Sequence, residues 1–227
     1  MRNFVVDDAL EAIRQEADDD RRFEAISGLV RTDPVGVRGP ASRLLLSSAA
    51  DERRLGADLL GQVATVGPEA PDISQVLQEQ LEVEPEARVR AAIVTAIGHT
   101  RYSGARELVR SFASDTDEGV RYSVAVALPI LELDDAAVST LLELTTDSDD
   151  DVRDWATFAL AESDYDNEAL REALMARTRD ADDDTRAEAF YGLAKRRDAR
   201  VRPLIERELQ RPSVGSLVQR AWDELNS

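Results

Sequence analysis

Apolar residues along the chain recur three, four and seven positions apart, which is the spacing of an amphipathic helix. Two such helical patterns alternate: one runs through segments such as AVSTLLELTTD and VRPLIERELQ, and the next begins close to an arginine. No stretch of the sequence alternates apolar and polar residues long enough to predict a convincing strand. The pattern therefore predicts an all-α protein built from pairs of helices.

An arginine marks the start of the second helix in each pair. It is followed at +3 by a small or β-branched residue, at +6 by Ala, Gly or Leu, and at +7 by an aliphatic residue. The anchors lie 31, 37, 31, 32 and 33 residues apart: Arg22, Arg53, Arg90, Arg121, Arg153 and Arg186. Val218 takes the place of the arginine in a seventh, degenerate copy, as is typical of a capping repeat. Seven copies predict about fourteen helices.

The copies continue in one phase, which predicts a single domain over residues 1–227. Pro68 and Pro71 fall within the one long spacing and predict a longer loop between the second and third repeats. The expected repeats cover about 3–33, 35–66, 71–100, 104–132, 135–164, 166–197 and 198–227.

Acidic residues stand before most of the anchors. We interpret runs such as Asp18–Asp20, Asp149–Asp151 and Asp182–Asp184 as N-caps and first-turn acids of the helices that follow. A calcium-binding interpretation of these runs fails, because an EF-hand loop needs Gly at its sixth position and Glu at its twelfth. We therefore predict no metal site and no cofactor.

The repeats resemble HEAT repeats, in particular the short HEAT-like repeats named after the phycobilisome lyases. The matching segments are EARVRAAIVTAIGHT (86–100), DEGVRYSVAVALPIL (117–131) and DDDVRDWATFALAES (149–163). The resemblance covers essentially the whole chain and implies an α-α superhelix, a solenoid of about seven helix pairs whose second helices line a concave face. It also implies that the six anchor arginines are structural and bond to acids of neighbouring repeats.

Composition excludes several classes of function. The 227 residues include 46 acidic and 28 basic side chains, a net charge of −18, which disfavours nucleic acid and anionic membranes as partners. With no cysteine there is no disulfide, thiolate zinc site or cysteine nucleophile, and His99 is the single histidine. The sequence has neither an apolar run of about 18 residues nor a signal-peptide pattern, so we expect a cytoplasmic protein.

The open side of each second helix carries the candidate binding residues. At about 100° per residue, positions +1, +5, +8 and +12 from the anchor point away from the core. In the early repeats these include Phe23, Arg54, Asp58 and Thr95. In repeats four to six aromatic residues gather there among acids, and we predict a partner-binding set of Tyr122, Val126, Asp154, Trp155, Phe158, Glu162, Tyr165, Glu188 and Tyr191. The alternative is that helix tilt packs some of these side chains between repeats.

An aromatic centre with an anionic rim suits a protein or peptide that carries Arg or Lys. The sequence therefore predicts a monomeric, non-catalytic scaffold or adaptor that binds a basic protein partner on its concave face. Two alternatives stay open: an immunity- or inhibitor-type protein that neutralises a basic partner, and a bilin-lyase-like enzyme subunit. His99 follows Gly98 at a predicted helix C-terminus, where contact with the last carbonyl groups is more typical than catalysis.

Overall fold

The computed structural model describes residues 2–66, 71–211 and 214–226. Within these ranges there are fourteen α-helices, one short 3₁₀ helix (Ala199–Val201) and no strand, which confirms an all-α fold of about seven helix pairs. The helices are α1 (Arg2–Gln15), α2 (Asp19–Thr32), α3 (Pro34–Leu45), α4 (Ala50–Val66), α5 (Pro71–Leu81), α6 (Ala87–Thr100), α7 (Ala105–Arg110), α8 (Glu118–Ile130), α9 (Asp135–Leu144), α10 (Asp150–Glu162), α11 (Glu168–Arg177), α12 (Asp183–Lys195), α13 (Arg202–Glu208) and α14 (Ser216–Asn226). Pro68, part of the predicted loop, lies outside the described residues, and Pro71 begins α5.

The helices form two compact units, Met1–Phe112 and Ala113–Ser227. In the first unit α2 contacts α4 and α4 contacts α6, while α3 packs on α4 and α5 packs on α6. In the second unit α8, α10, α12 and α14 contact one another in that order, and α9 and α11 pack on α10 and α12. Successive second helices of the repeats thus pack side by side within each unit.

Small residues of the repeat motif allow this close packing. A Cβ on Gly56, three residues after its anchor, would lie 2.3 Å from the backbone nitrogen of Leu45 in α3. A Cβ on Gly192 would lie 2.8 Å from the Cβ of Ala161 in α10. Larger side chains at these two positions would force neighbouring helices apart, which explains why the chain carries glycine at both.

The acidic turns cap the helices that follow them. Asp18, Asp117, Asp149 and Asp182 each accept a hydrogen bond from the backbone N–H three residues further on, at 2.7–3.3 Å. Each bond satisfies one of the backbone donors that a helix N-terminus leaves unpaired. The interpretation of these acids as N-caps is confirmed.

Four anchor arginines bind carboxylates of the following repeat, at 2.7–3.4 Å: Arg53 with Glu84, Arg121 with Asp147, Arg153 with Asp180, and Arg186 with Glu208. The other nitrogen of each guanidinium donates to backbone carbonyls in its own turn, as Arg53 does to Ser47 and Ser48. Their predicted structural role is confirmed. Arg22 differs, because its Nε is buried without a hydrogen-bond partner among the described residues.

Candidate functional site

Three aromatic rings of the second unit form one connected cluster. Tyr122 lies on α8, and Trp155 and Phe158 lie one turn apart on α10. The ring centroids of Tyr122 and Trp155 are 5.7 Å apart and those of Trp155 and Phe158 are 5.5 Å apart, both in edge-to-face orientation. All three side chains are half-buried, so the cluster presents ring surface to solvent from a fixed arrangement.

Two carboxylates accompany the aromatic cluster, one on α10 and one on α12. Asp154 on α10 and Glu188 on α12 are half-buried, and each has one carboxylate oxygen that is fully buried without a hydrogen-bond partner in the described chain. Burial raises the pKa of Asp154 to about 6, and the charges of Asp182 and Asp184 add to the shift. Both groups therefore carry an electrostatic cost when ionised, which a cation would relieve.

The pKa of Glu188 depends on burial and on the charges of neighbouring side chains. Burial first, and then the negative charges of Asp154 and Glu162, raise it to about 7. The positive charge of Arg220 opposes that rise. We call Tyr122, Asp154, Trp155, Phe158 and Glu188 the unit-2 face.

A guanidinium from α14 lies beside the unit-2 face. The Arg220 guanidinium carbon lies 4.2 Å from the centroid of the Tyr191 ring, and its Nη2 donates a 2.8 Å hydrogen bond to the Tyr191 hydroxyl. Its Nη1 is 3.6 Å from a carboxylate oxygen of Glu162. This part of the molecule already holds a guanidinium by stacking, hydrogen bonding and ion pairing.

The predicted exposure is wrong for Tyr191. The sequence placed it on the open face, but its side chain is only 5% exposed, because α14 packs on α12 and brings Arg220 over the ring. Tyr165 follows the end of α10, and its hydroxyl donates to the backbone carbonyl of Leu133 at 3.2 Å, so it bridges two repeats as the packing alternative expected. Val126 is half-buried on α8.

The sequence interpretation missed Arg220. Taking Val218 as the anchor of the last repeat, Arg220 stands at +2, the same offset as Trp155 from Arg153 and Glu188 from Arg186. These three residues stand at the same position on successive second helices, so position +2 could have identified Arg220 from the sequence.

In the part of the chain that is described, no cluster of three or more His, Asp or Glu side chains is arranged to hold a metal ion. Over the same residues, no helix is both long enough and apolar enough to cross a membrane.

Comparison with known proteins agrees with this architecture. Protein YibA of Escherichia coli K12 is 29% identical over 198 residues, which cover 82% of this chain and 69% of YibA. The X-ray structure of YibA superposes with a TM-score of 0.77 at 23% identity, over 97% of this chain and 82% of that one. A HEAT-like repeats protein from Thermococcus onnurineus NA1 gives 0.53 at 12% identity, over 97% and 95% of the two chains.

A larger assembly contains a similar fold. The S. pombe condensin Cnd3–Cnd2 subcomplex gives a TM-score of 0.72 at 18% identity, over 98% of this chain and 33% of the matched chain. The family model for HEAT repeats matches residues 74–161 and again 138–225. The narrower resemblance to the phycobilisome-lyase type stays a prediction. Because the family matches span most of the sequence and the helix pairs agree with them, this chain belongs to the HEAT-repeat family.

Proposed function

We propose that the protein is a non-catalytic interaction scaffold that binds basic side chains, arginine above all, of a protein or peptide partner on the unit-2 face. The main support for this proposal is the position of Arg220, whose guanidinium stacks on Tyr191 and lies within ion-pair distance of Glu162. A surface that holds its own guanidinium in this way has the chemistry to hold a partner's guanidinium beside it.

The aromatic cluster supports the proposal. Trp155 is fixed between Tyr122 and Phe158 by edge-to-face contacts, so little side-chain entropy is lost when a partner covers it. Half-buried aromatic residues in a rigid group are typical anchors of protein interfaces. They also offer ring faces on which a cation stacks.

The two raised pKa values make binding depend on proton release. Near neutral pH, Asp154 and Glu188 are partly protonated, because burial and neighbouring negative charges raise their pKa values to about 6 and about 7 and so disfavour two negative charges. A guanidinium between them removes that penalty, and both carboxylates then ionise. We therefore expect affinity for an arginine peptide to rise between about pH 5 and pH 8, by tenfold or more.

The fold relatives support a protein partner in general. The condensin match is a subcomplex of two named subunits, so this fold takes part in protein assembly there. The acidic character of the second unit supplies the preference for a basic partner. That unit carries 27 acidic and 14 basic residues, whereas residues 1–112 carry 19 and 14.

The test uses Trp155 as a fluorescent reporter. Trp222, the second tryptophan, is replaced by Phe so that emission comes from Trp155 alone and the Arg202 guanidinium still has a ring to stack on. The probes are an acetylated hexa-arginine amide and the same peptide built from citrulline, which keeps the shape of arginine without its charge. We expect saturable quenching with the arginine peptide and at least a tenfold weaker response with the citrulline peptide.

A matched pair of variants separates the unit-2 face from net charge. Asp154→Asn with Glu188→Gln removes the two carboxylates of the face, and Glu143→Gln with Glu168→Gln removes two exposed carboxylates from α9 and α11. We expect the first pair to weaken arginine-peptide binding at least tenfold and the second to change it less than twofold. Equal losses in both pairs, or equal binding of the citrulline peptide, would refute a specific cation site.

A further inference from the structure

The first unit contains a pocket that the proposed function does not use. It has a volume of about 240 Å³ and lies where α2, α4 and α6 come together. Four residues that the helical phasing placed on the open face line it: Phe23, Arg54, Asp58 and Thr95. The phasing agrees with the structure at these four positions, and the pocket is a feature of the repeat surface rather than a packing defect.

The floor of the pocket is apolar. Ile26, Ala57 and Ala96 line it and are buried, with exposed fractions of 3% or less. Gly61 also lines it, and a Cβ there would lie 3.1 Å from Ala96, so this glycine permits the close approach of α4 and α6 beneath the cavity. Phe23 stands at the wall with 58% of its surface exposed, unusual for a large apolar side chain.

The two arginines that line the pocket differ in their partners. Arg54 lies 3.9 Å from Asp58, which offsets it. Arg22 also lines the pocket, and its Nε is buried without a hydrogen-bond partner among the described residues. The equivalent anchors Arg53 and Arg153 each bind a carboxylate of the next repeat with two nitrogens. Arg22 therefore brings to the edge of an apolar cavity a guanidinium whose Nε has no hydrogen-bond partner among the described residues.

His99 adds a polar wall without adding charge at neutral pH. Its ring lines the pocket, and burial together with the positive charge of Arg101 lowers its pKa. Thr95 and Gln62 are the uncharged polar side chains of the lining. With Asp58 nearby, the pocket matches a ligand with a single negative charge better than a dianion such as a phosphate monoester.

We propose that this pocket binds a small apolar monocarboxylate, about one aromatic ring with a short acidic chain, whose carboxylate pairs with Arg22. The apolar floor and Phe23 contact the ring, and the guanidinium of Arg22 supplies the two-pronged partner that a carboxylate prefers. The size follows from the cavity, which is smaller than the pockets of about 300–1,000 Å³ that hold drug-sized ligands. The same chemistry occurs at the carboxyl terminus of a peptide that ends in an aromatic residue.

Nuclear magnetic resonance of the His99 ring tests the proposal directly. His99 is the single histidine of the sequence, so its ring carbons and protons give one resolved set of signals from within the pocket. The probe is 3-phenylpropionate, compared with the neutral 3-phenylpropanamide and the cationic 3-phenylpropylamine, which match it in size. We expect saturable shifts with the carboxylate at a Kd on the order of 1 mM or below, and about tenfold weaker binding of the amide.

A second comparison distinguishes two possible sources of the carboxylate, the end of a peptide and a free small acid. N-acetyl-phenylalanine represents a peptide carboxyl terminus, and its carboxamide removes the charge. Tighter binding of N-acetyl-phenylalanine than of 3-phenylpropionate assigns the pocket to a peptide end, whereas the reverse order assigns it to a free small acid. Either order supports a carboxylate site.

Variants on α2 separate Arg22 from its neighbours. Arg22→Gln should weaken 3-phenylpropionate binding about tenfold and Arg22→Lys should weaken it less. Arg21→Gln removes an exposed arginine from the same turn and should leave binding unchanged. Ala92→Leu, which fills the pocket from α6 and keeps Arg22, should abolish binding and serves if Arg22→Gln does not fold. Equal binding of acid and amide, full binding by Arg22→Gln, or no shift of the His99 signals would overturn the proposal.

Discussion

The two units are built from the same kind of helix pair, but their candidate sites carry side chains of opposite charge. In the first unit the second helices line a pocket with an apolar floor and the guanidinium of Arg22 at its edge. In the second unit the corresponding helices carry an aromatic cluster and the unmatched carboxylates Asp154 and Glu188. Apart from Arg22, which is itself an anchor, the side chains that distinguish the two sites stand mainly at positions +1, +2 and +5, outside the +3, +6 and +7 positions of the motif. Fold and candidate site are thus set by different positions of the same repeat.

The anchor arginines test whether the two units share one structural device. Arg53→Gln in the first unit leaves the buried carboxylate of Glu84 without its guanidinium. Arg153→Gln in the second removes one of the two guanidinium groups that pair with Asp180, the other being that of Arg177. We expect Arg53→Gln to lower the free energy of unfolding by about 3 kcal/mol, the largest effect predicted here, and Arg153→Gln to lower it less because Arg177 still pairs with Asp180. Denaturant titration measures the loss, and hydrogen exchange should localise it to the unit that carries the change.

Arg179→Gln, an exposed arginine in the turn after α11, is the matched control and should change stability by less than about 0.5 kcal/mol. If Arg53→Gln changed the free energy of unfolding little and Arg153→Gln changed it much, the two units would not depend on the same ion pair for their stability.

The carboxylate pair should give the second unit a pH dependence of stability of its own. Because the folded pKa values of Asp154 and Glu188 are about 6 and about 7, above the ordinary 3.8 and 4.5, the folded state binds protons more tightly than the unfolded chain. Their burial therefore lowers stability progressively as the pH rises from about 4 to about 7. Asp154→Asn with Glu188→Gln should raise the free energy of unfolding by about 1–3 kcal/mol at pH 8 and by almost nothing at pH 4.

Denaturation of both proteins at a series of pH values checks this slope. Glu143→Gln with Glu168→Gln, the exposed pair, should leave the pH profile unaltered. A stabilisation of the same size at pH 4 would mean that the variants act through packing rather than through charge.

Arg220 should give the smallest of the three effects. Arg220→Gln removes the stacking on Tyr191 and the hydrogen bond to its hydroxyl, for an expected loss of about 1 kcal/mol. It should also raise the pKa of Glu188 further, because the positive charge of Arg220 now holds that pKa down. A thermal melt gives the first quantity and carbon-detected titration of the Glu188 carboxyl group gives the second.

Arg207→Gln on α13 removes an exposed arginine of the same unit and is the control for net charge. If Arg220→Gln leaves both the melt and the Glu188 titration unchanged, the guanidinium is not seated on Tyr191 in solution, and the main support for the proposed function is lost.

The local features of the repeat could be read from sequence because they depend on short-range chemistry. The cap of α10 by Asp149 needs only an acid three residues before an N–H, and the small residue at Gly56 marks where a helix must approach another. The positions of Tyr122 and Phe158 on an exposed side follow from helical periodicity alone.

What the sequence by itself determined is the helix-pair architecture and the phase of each helix, since both repeat with the 3.6-residue period of the backbone. What only the tertiary structure decided is which phased residues remain accessible. Tyr191 has the right phase but is covered, because α14 packs against α12 and carries Arg220 over it. The buried atoms of Arg22, Asp154 and Glu188 that have no hydrogen-bond partner among the described residues could not be predicted from the sequence either, because a hydrogen bond depends on the distances to residues of other helices. Periodicity fixes direction around one helix axis, whereas burial and charge pairing depend on neighbours that lie far apart in the chain.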